Sequence, residues 1–103
     1  MATASAFQVG DLIIDLRMRH VTRGEMSLDI ADRSFDVLLA LVRATPNLMS
    51  AQELMDRVWG YQNALDTGTV TVHVRRLRKK IEDDASRPRH LETVFGSGYR
   101  FTP

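Results

Sequence analysis

Val70, Val74, Leu77 and Ile81 recur at i, i+4, i+7 and i+11, and that spacing commits the segment from about Thr69 to Ile81 to a helix with one buried stripe. Asp66 or Thr67 stands where a cap is needed. Off the stripe lie Arg75, Arg76, Arg78, Lys79 and Lys80, and residues 67–81 contain no acid. Such a helix must lay one side on a core and turn a cationic side outward. The outward side carries Thr69, His73, Arg76 and Lys80 in one row and Thr71, Arg75 and Arg78 in the next. A basic row of this kind is often only a solvated surface. It also suits a duplex, whose phosphates attract Lys and Arg and whose major groove admits one helix and pairs an Arg with a guanine edge.

The remainder of the chain supplies the core for that stripe. Short strands are expected around Phe7 and Val9, then over Leu12–Leu16, Met18–Val21 and Met26–Ile30, with Thr22–Glu25 as a hairpin turn. From Asp32 the period changes to that of a helix, with Phe35, Leu38, Leu39 and Val42 on one face and Pro46 as the stop. Ser50 and Glu53 fit a reciprocal capping box for a second, short helix bearing Leu54, Met55, Val58 and Trp59, which Gly60 ends. Beyond Pro88, Leu91–Val94 and Tyr99–Thr102 read as strands around Phe95-Gly96-Ser97-Gly98. Strands, three helices and a final hairpin make an α+β class. One domain is expected over residues 7–103, with 1–6 a linker remnant.

Composition narrows the function. With 103 residues, 44% of them hydrophobic, the chain can bury one small core. The net charge of +1 conceals an asymmetry. Residues 1–65 carry six Lys/Arg against eight Asp/Glu, and residues 66–103 carry eight against five, so the halves hold −2 and +3. Cysteine is absent, which removes thiolate chemistry and fits a reducing cytoplasm. No apolar run reaches 18 residues, so neither a span nor a secretory signal is expected. His20, His73 and His90 are scattered, and Asp83-Asp84 sit at a fraying helix end, so no metal site, cofactor or enzymatic activity is expected.

Three segments stand in order: Leu54-Met55-Asp56-Arg57-Val58-Trp59-Gly60; Val70 through Ile81; and Thr93-Val94-Phe95-Gly96-Ser97-Gly98-Tyr99-Arg100-Phe101. Together they resemble the OmpR/PhoB family of winged-helix output domains over about residues 7–102. The resemblance implies an N-terminal four-stranded antiparallel sheet, three helices and a C-terminal β-hairpin wing. It implies sequence-specific binding of double-stranded DNA by a bacterial two-component response regulator, with the third helix in the major groove and the wing, about Leu91 to Thr102, beside the minor groove.

Carried over by position, Arg76 is the leading base reader and Arg78 lies near the groove. His73 and Arg75 hold phosphates, and Trp59, Thr93 and Tyr99 touch the backbone or serve only packing. Thr69, Thr71 and Lys80 complete the helix face. The loop Gly60, Tyr61, Gln62, Asn63, Ala64, Leu65, Asp66 is the surface through which many members touch RNA polymerase. The parent protein is expected to carry a receiver domain served by a cognate kinase in a phosphorelay. The domain itself is expected to be a monomer that pairs on tandem half-sites of DNA.

Rival readings are the DNA-binding head of a membrane-anchored regulator and a winged helix that binds an acidic protein. Three positions depart from the family pattern. Gly68 replaces a common Arg, Thr71 a common acid, and Phe95 a wing Arg. Phe95 is expected to pack on the domain or lie against a sugar.

Overall fold

The amino-terminal alternation folds as four short strands in a computed structural model that describes residues 5–61 and 65–103. β1 (Ala6–Val9), β2 (Leu12–Asp15), β3 (His20–Arg23) and β4 (Met26–Leu28) pair antiparallel in chain order. Their register aligns Phe7, Ile14, Val21 and Leu28 on the core face, and Gln8, Ile13, Thr22 and Ser27 on the outer face. Of the segment expected to be linker, Ala6 begins β1 and the Ser5 carbonyl accepts the Leu16 N–H at 2.7 Å, while residues 1–4 lie outside the described residues.

The connection from β2 to β3 differs from the alternation pattern. A strand is expected over Met18–Val21, but residues 16–19 turn, Arg19 takes φ of 52°, and β3 runs on through Thr22 and Arg23. The Asp15 carboxylate accepts the Met18 N–H at 2.9 Å. The Arg19 guanidinium donates to Asp36 at 2.8 Å and lies 4.7 Å from the centre of the Phe35 ring. A side chain bonded to nearby backbone, together with a distant ion pair, outweighs the hydropathic pattern over these four positions. The next turn is then only Gly24-Glu25, with Gly24 at φ of 60°, a conformation that costs other residues a steric clash. β4 stops at Leu28, and Ile30 packs on the core from the approach to the first helix.

α1 (Asp32–Ala44) buries Phe35, Val37, Leu38, Leu41 and Val42 and packs on both later helices and on the final strand. Each such side chain removed from water contributes about 1.5–3 kcal/mol before the entropy of ordering is subtracted. α2 (Ala51–Trp59) starts with the expected capping box: Ser50 Oγ accepts the Glu53 N–H at 3.0 Å and Glu53 Oε1 accepts the Ser50 N–H at 2.9 Å. It ends at Gly60, whose φ is 93°. α3 (Gly68–Ile81) buries all four residues of its stripe. Of the two candidate caps, Thr67 makes no side-chain capping bond, and the Asp66 carboxylate accepts the Gly68 N–H at 2.8 Å.

After α3 the chain turns back into a hairpin, β5 (Leu91–Val94) paired with β6 (Gly98–Phe101). Glu82 makes that return. Its buried carboxylate accepts backbone N–H groups of Arg89, His90 and Leu91 at 2.8 to 3.2 Å, which fixes where β5 begins. Arg23 ties the first sheet to the same region, bonding Asp11 at 3.0 Å and also Asp83. Among the described residues no helix is long and apolar enough to cross a membrane.

Candidate nucleic-acid interface

With Val70, Val74, Leu77 and Ile81 facing the core, the helical period turns Thr71, Val72, Arg75, Arg76, Lys79 and Lys80 to solvent. Arg75, Arg76, Lys79 and Lys80 make no hydrogen bond or ion pair with another described residue. Their charges are therefore available to a ligand. At 14 residues, α3 is about 21 Å long.

Arg78 behaves differently from its neighbours. Its Nε and Nη2 donate to the Leu91 carbonyl at 3.0 and 2.8 Å, and Nη2 also donates to Thr93 Oγ1 at 2.8 Å. Where the family resemblance places Arg78 near the groove, the structure spends its guanidinium on holding β5 against α3. Thr93, expected to touch a backbone, is the exposed end of that tie. Tyr99, its cross-strand partner, lies 3.3 Å from Thr71 Oγ1 through its hydroxyl. Thr71, Arg75, Arg78, Lys79, Thr93 and Tyr99 thus line one groove of about 620 Å³ between helix and hairpin. The hairpin is also bound at its other strand, since Met49 and Tyr99 exchange two backbone bonds of 2.8 Å. Gly98 permits this closeness, because a Cβ there would stand 2.1 Å from the Met49 carbonyl oxygen.

His73 is half-buried, shares a 2.8 Å hydrogen bond with Ser34 Oγ, and lies 5.3 Å, centre to centre, from the tilted Trp59 ring. Burial, then the charges of Arg76 and Arg33, push its imidazole below the ordinary histidine value. The lowered value favours the neutral, hydrogen-bonding form of the ring. Trp59 is likewise half-buried, with one side on the core and the other toward His73. Thr69 is partly exposed at the start of the helix.

Phe95 does not pack on the domain: it is 94% exposed at the hairpin tip. In the loop before α3, Tyr61 is 88% exposed and Leu65 is half-exposed, while Asp66 is engaged at the helix start. Gln62, Asn63 and Ala64 of that expected surface lie outside the described residues. Sequence reasoning did not find Ser34 or Glu82. Each acts through a partner brought near by folding, and no local motif marks either one.

A family model described as "Transcriptional regulatory protein, C terminal" matches residues 24–101. The response regulator MtrA of Mycolicibacterium smegmatis, described as DNA-binding, is 38% identical over 100 residues, covering 97% of this chain and 44% of that protein. The chain therefore spans less than half the length of this curated relative. The response regulator DrrB of Thermotoga maritima, an OmpR/PhoB homologue, superposes with a TM-score of 0.87 at 29% identity, over 96% of this chain and 45% of that one. The RstA DNA-binding domain of Klebsiella pneumoniae, solved in complex with the RstA box, superposes with a TM-score of 0.85 at 31% identity. That match covers 95% of this chain and 97% of the other.

Proposed function

The chain belongs to the OmpR/PhoB-type family of DNA-binding C-terminal domains of transcriptional regulatory proteins, and we propose that it reads a specific duplex sequence with α3 in the major groove and the β5–β6 hairpin beside the minor groove. The observation that carries the reading is the row of cations Arg75, Arg76, Lys79 and Lys80, without a hydrogen-bond or ion-pair partner among the described residues, on a helix whose opposite stripe is fully buried. Positive charge with no internal partner is what counterion release from DNA exploits, and an extended Arg76 has the reach to pair with O6 and N7 of guanine. Arg75 acts on phosphate. His73 and Trp59 present a neutral, partly apolar edge to the sugar-phosphate backbone, and Thr69 and Thr71 offer hydroxyls at the groove. Tyr99 and Thr93 border the same surface.

In the whole protein this domain is the output of a two-component response regulator in the cytoplasm. A receiver domain phosphorylated by a cognate kinase drives pairing on tandem half-sites, and Gly60, Tyr61, Leu65 and Asp66 are the described part of a surface for RNA polymerase, with Tyr61 and Leu65 exposed. Selection of duplexes by this chain from a random pool tests the reading. The expected result is one enriched motif, repeated head to tail at about one helical turn, 10 to 10.5 base pairs. A pool that emerges without an enriched motif overturns it.

A further inference from the structure

The hairpin that Arg78, Glu82 and Met49 hold so firmly ends in an aromatic ring that touches almost nothing. Phe95 has the greatest exposure of the large hydrophobic side chains described, 94%. It stands in a four-residue turn closed by the Ser97 N–H on the Val94 carbonyl at 2.9 Å, with Gly96 at φ of 76°. An apolar ring left in water forgoes the free energy it would gain on burial, so a partner that covers Phe95 gains that burial.

The position of the ring relative to α3 indicates what covers it. Thr93 and Tyr99 face each other across the hairpin, and both reach α3, through Arg78 and Thr71. Phe95 follows Thr93 by two residues and lines a second groove, toward Ala51, that shares Thr93 and Tyr99 with the groove whose helical wall bears Arg75, Arg78 and Lys79. No acid lies in residues 93–101 to repel phosphate, and the nearest, Glu92, is engaged by Arg100 and Thr102. Beside a helix lying in the major groove, the surface that such a tip meets is the adjacent minor groove, whose walls are the apolar faces of deoxyribose.

Building on the DNA-binding reading above, we propose that Phe95 is an uncharged anchor that lies against the sugar walls of the minor groove flanking the sequence read by α3. Its contribution is apolar burial, so it adds affinity without releasing counterions. It does not wedge between bases. A lone ring followed by Gly96 and Ser97 at the tip has no second exposed apolar ring beside it to compensate the unstacking of a base step.

The test uses the duplex recovered by selection, in single-site and two-site forms, titrated at several salt concentrations. Phe95→Ala should weaken single-site binding about tenfold, as expected for loss of part of a buried phenyl ring. The slope of log K against log salt should stay unchanged, and Phe95→Leu should retain most of the affinity. Phe95→Arg should make that slope steeper by about 0.9, one added phosphate contact. Unaltered affinity in Phe95→Ala overturns the proposal. A loss confined to the two-site duplex overturns it in favour of contact between neighbouring copies. Bright 2-aminopurine fluorescence at the flanking step, dependent on Phe95, overturns it in favour of a wedge. Failure of the DNA reading itself looks different: Arg76→Ala would then bind the duplex as the parent does, whereas failure here leaves Arg76→Ala deficient and Phe95→Ala intact.

Discussion

Arg76 and Arg78 stand two positions apart on one helix and have opposite lives. The first is exposed and makes no hydrogen bond or ion pair among the described residues, and the second makes three hydrogen bonds to the hairpin. Sequence rows separate them only by helical angle, and no local pattern tells a free guanidinium from one claimed by a carbonyl 13 residues on. Arg78→Ala should destabilise the domain by about 1–3 kcal/mol, since hydrogen bonds to a charged donor are each worth more than neutral ones. It should also release amide-exchange protection across Leu91–Val94. Unchanged protection there would mean the hairpin is held by Met49 and Glu82 alone.

His73 gives a second test at a single side chain. Its imidazole sits below the ordinary value of 6.5 because burial, and then Arg76 and Arg33, disfavour the cation. The unfolded chain then takes up a proton that the folded chain refuses as pH falls past about 6.5. Stability supplied through His73 is therefore present above that pH and is lost below it, toward the lower folded value. Melting temperatures of the parent and of His73→Gln, compared between pH 7.5 and 5, should converge on acidification. A parallel fall in both would remove His73 from the acid sensitivity.

The helices and the hairpin were readable where a motif is local. The period of Val70, Val74, Leu77 and Ile81 located α3 to within a residue, and Ser50 with Glu53 located the start of α2, because both signals lie within a few turns of chain. β3 was displaced because the Asp15 carboxylate and the ion pair of Arg19 with Asp36 override alternation, and Asp36 is 17 residues away. Glu82 was illegible for the same reason. Its role depends on three amides that only folding brings to it.

Glu82→Gln keeps the shape but replaces one accepting oxygen with an N–H₂ that faces N–H donors. A cost of about 1–3 kcal/mol is expected for each buried donor left without an acceptor. Calorimetry should show the loss, with β5 amides exchanging faster than those of α1. An unaltered melting temperature would mean that water replaces the carboxylate.

Across the whole molecule the charge divides with the architecture. The strands and first two helices lie in the net-negative part, and α3 with the hairpin lies in the part that holds +3. Such a division orients the domain as it approaches a polyanion before any base is read. Fold and charge both support the proposal that the α3 face meets DNA, and the comparison with the RstA domain spans nearly the full length of both chains. The choice of bases rests on single side chains. Thr71 and Phe95 stand where the family pattern differs, so the preferred duplex should be this chain's own.

The most direct measurement is the affinity of the parent, Arg76→Ala and Arg75→Ala for the selected duplex and for a random duplex over a range of salt. The parent should weaken steeply as salt rises. Arg76→Ala should lose about 1–3 kcal/mol on the selected duplex and far less on the random one. Arg75→Ala should weaken both alike and flatten the salt slope by about 0.9. A flat salt response of the parent, or equal losses on both duplexes for Arg76→Ala, would contradict base reading from this face of α3.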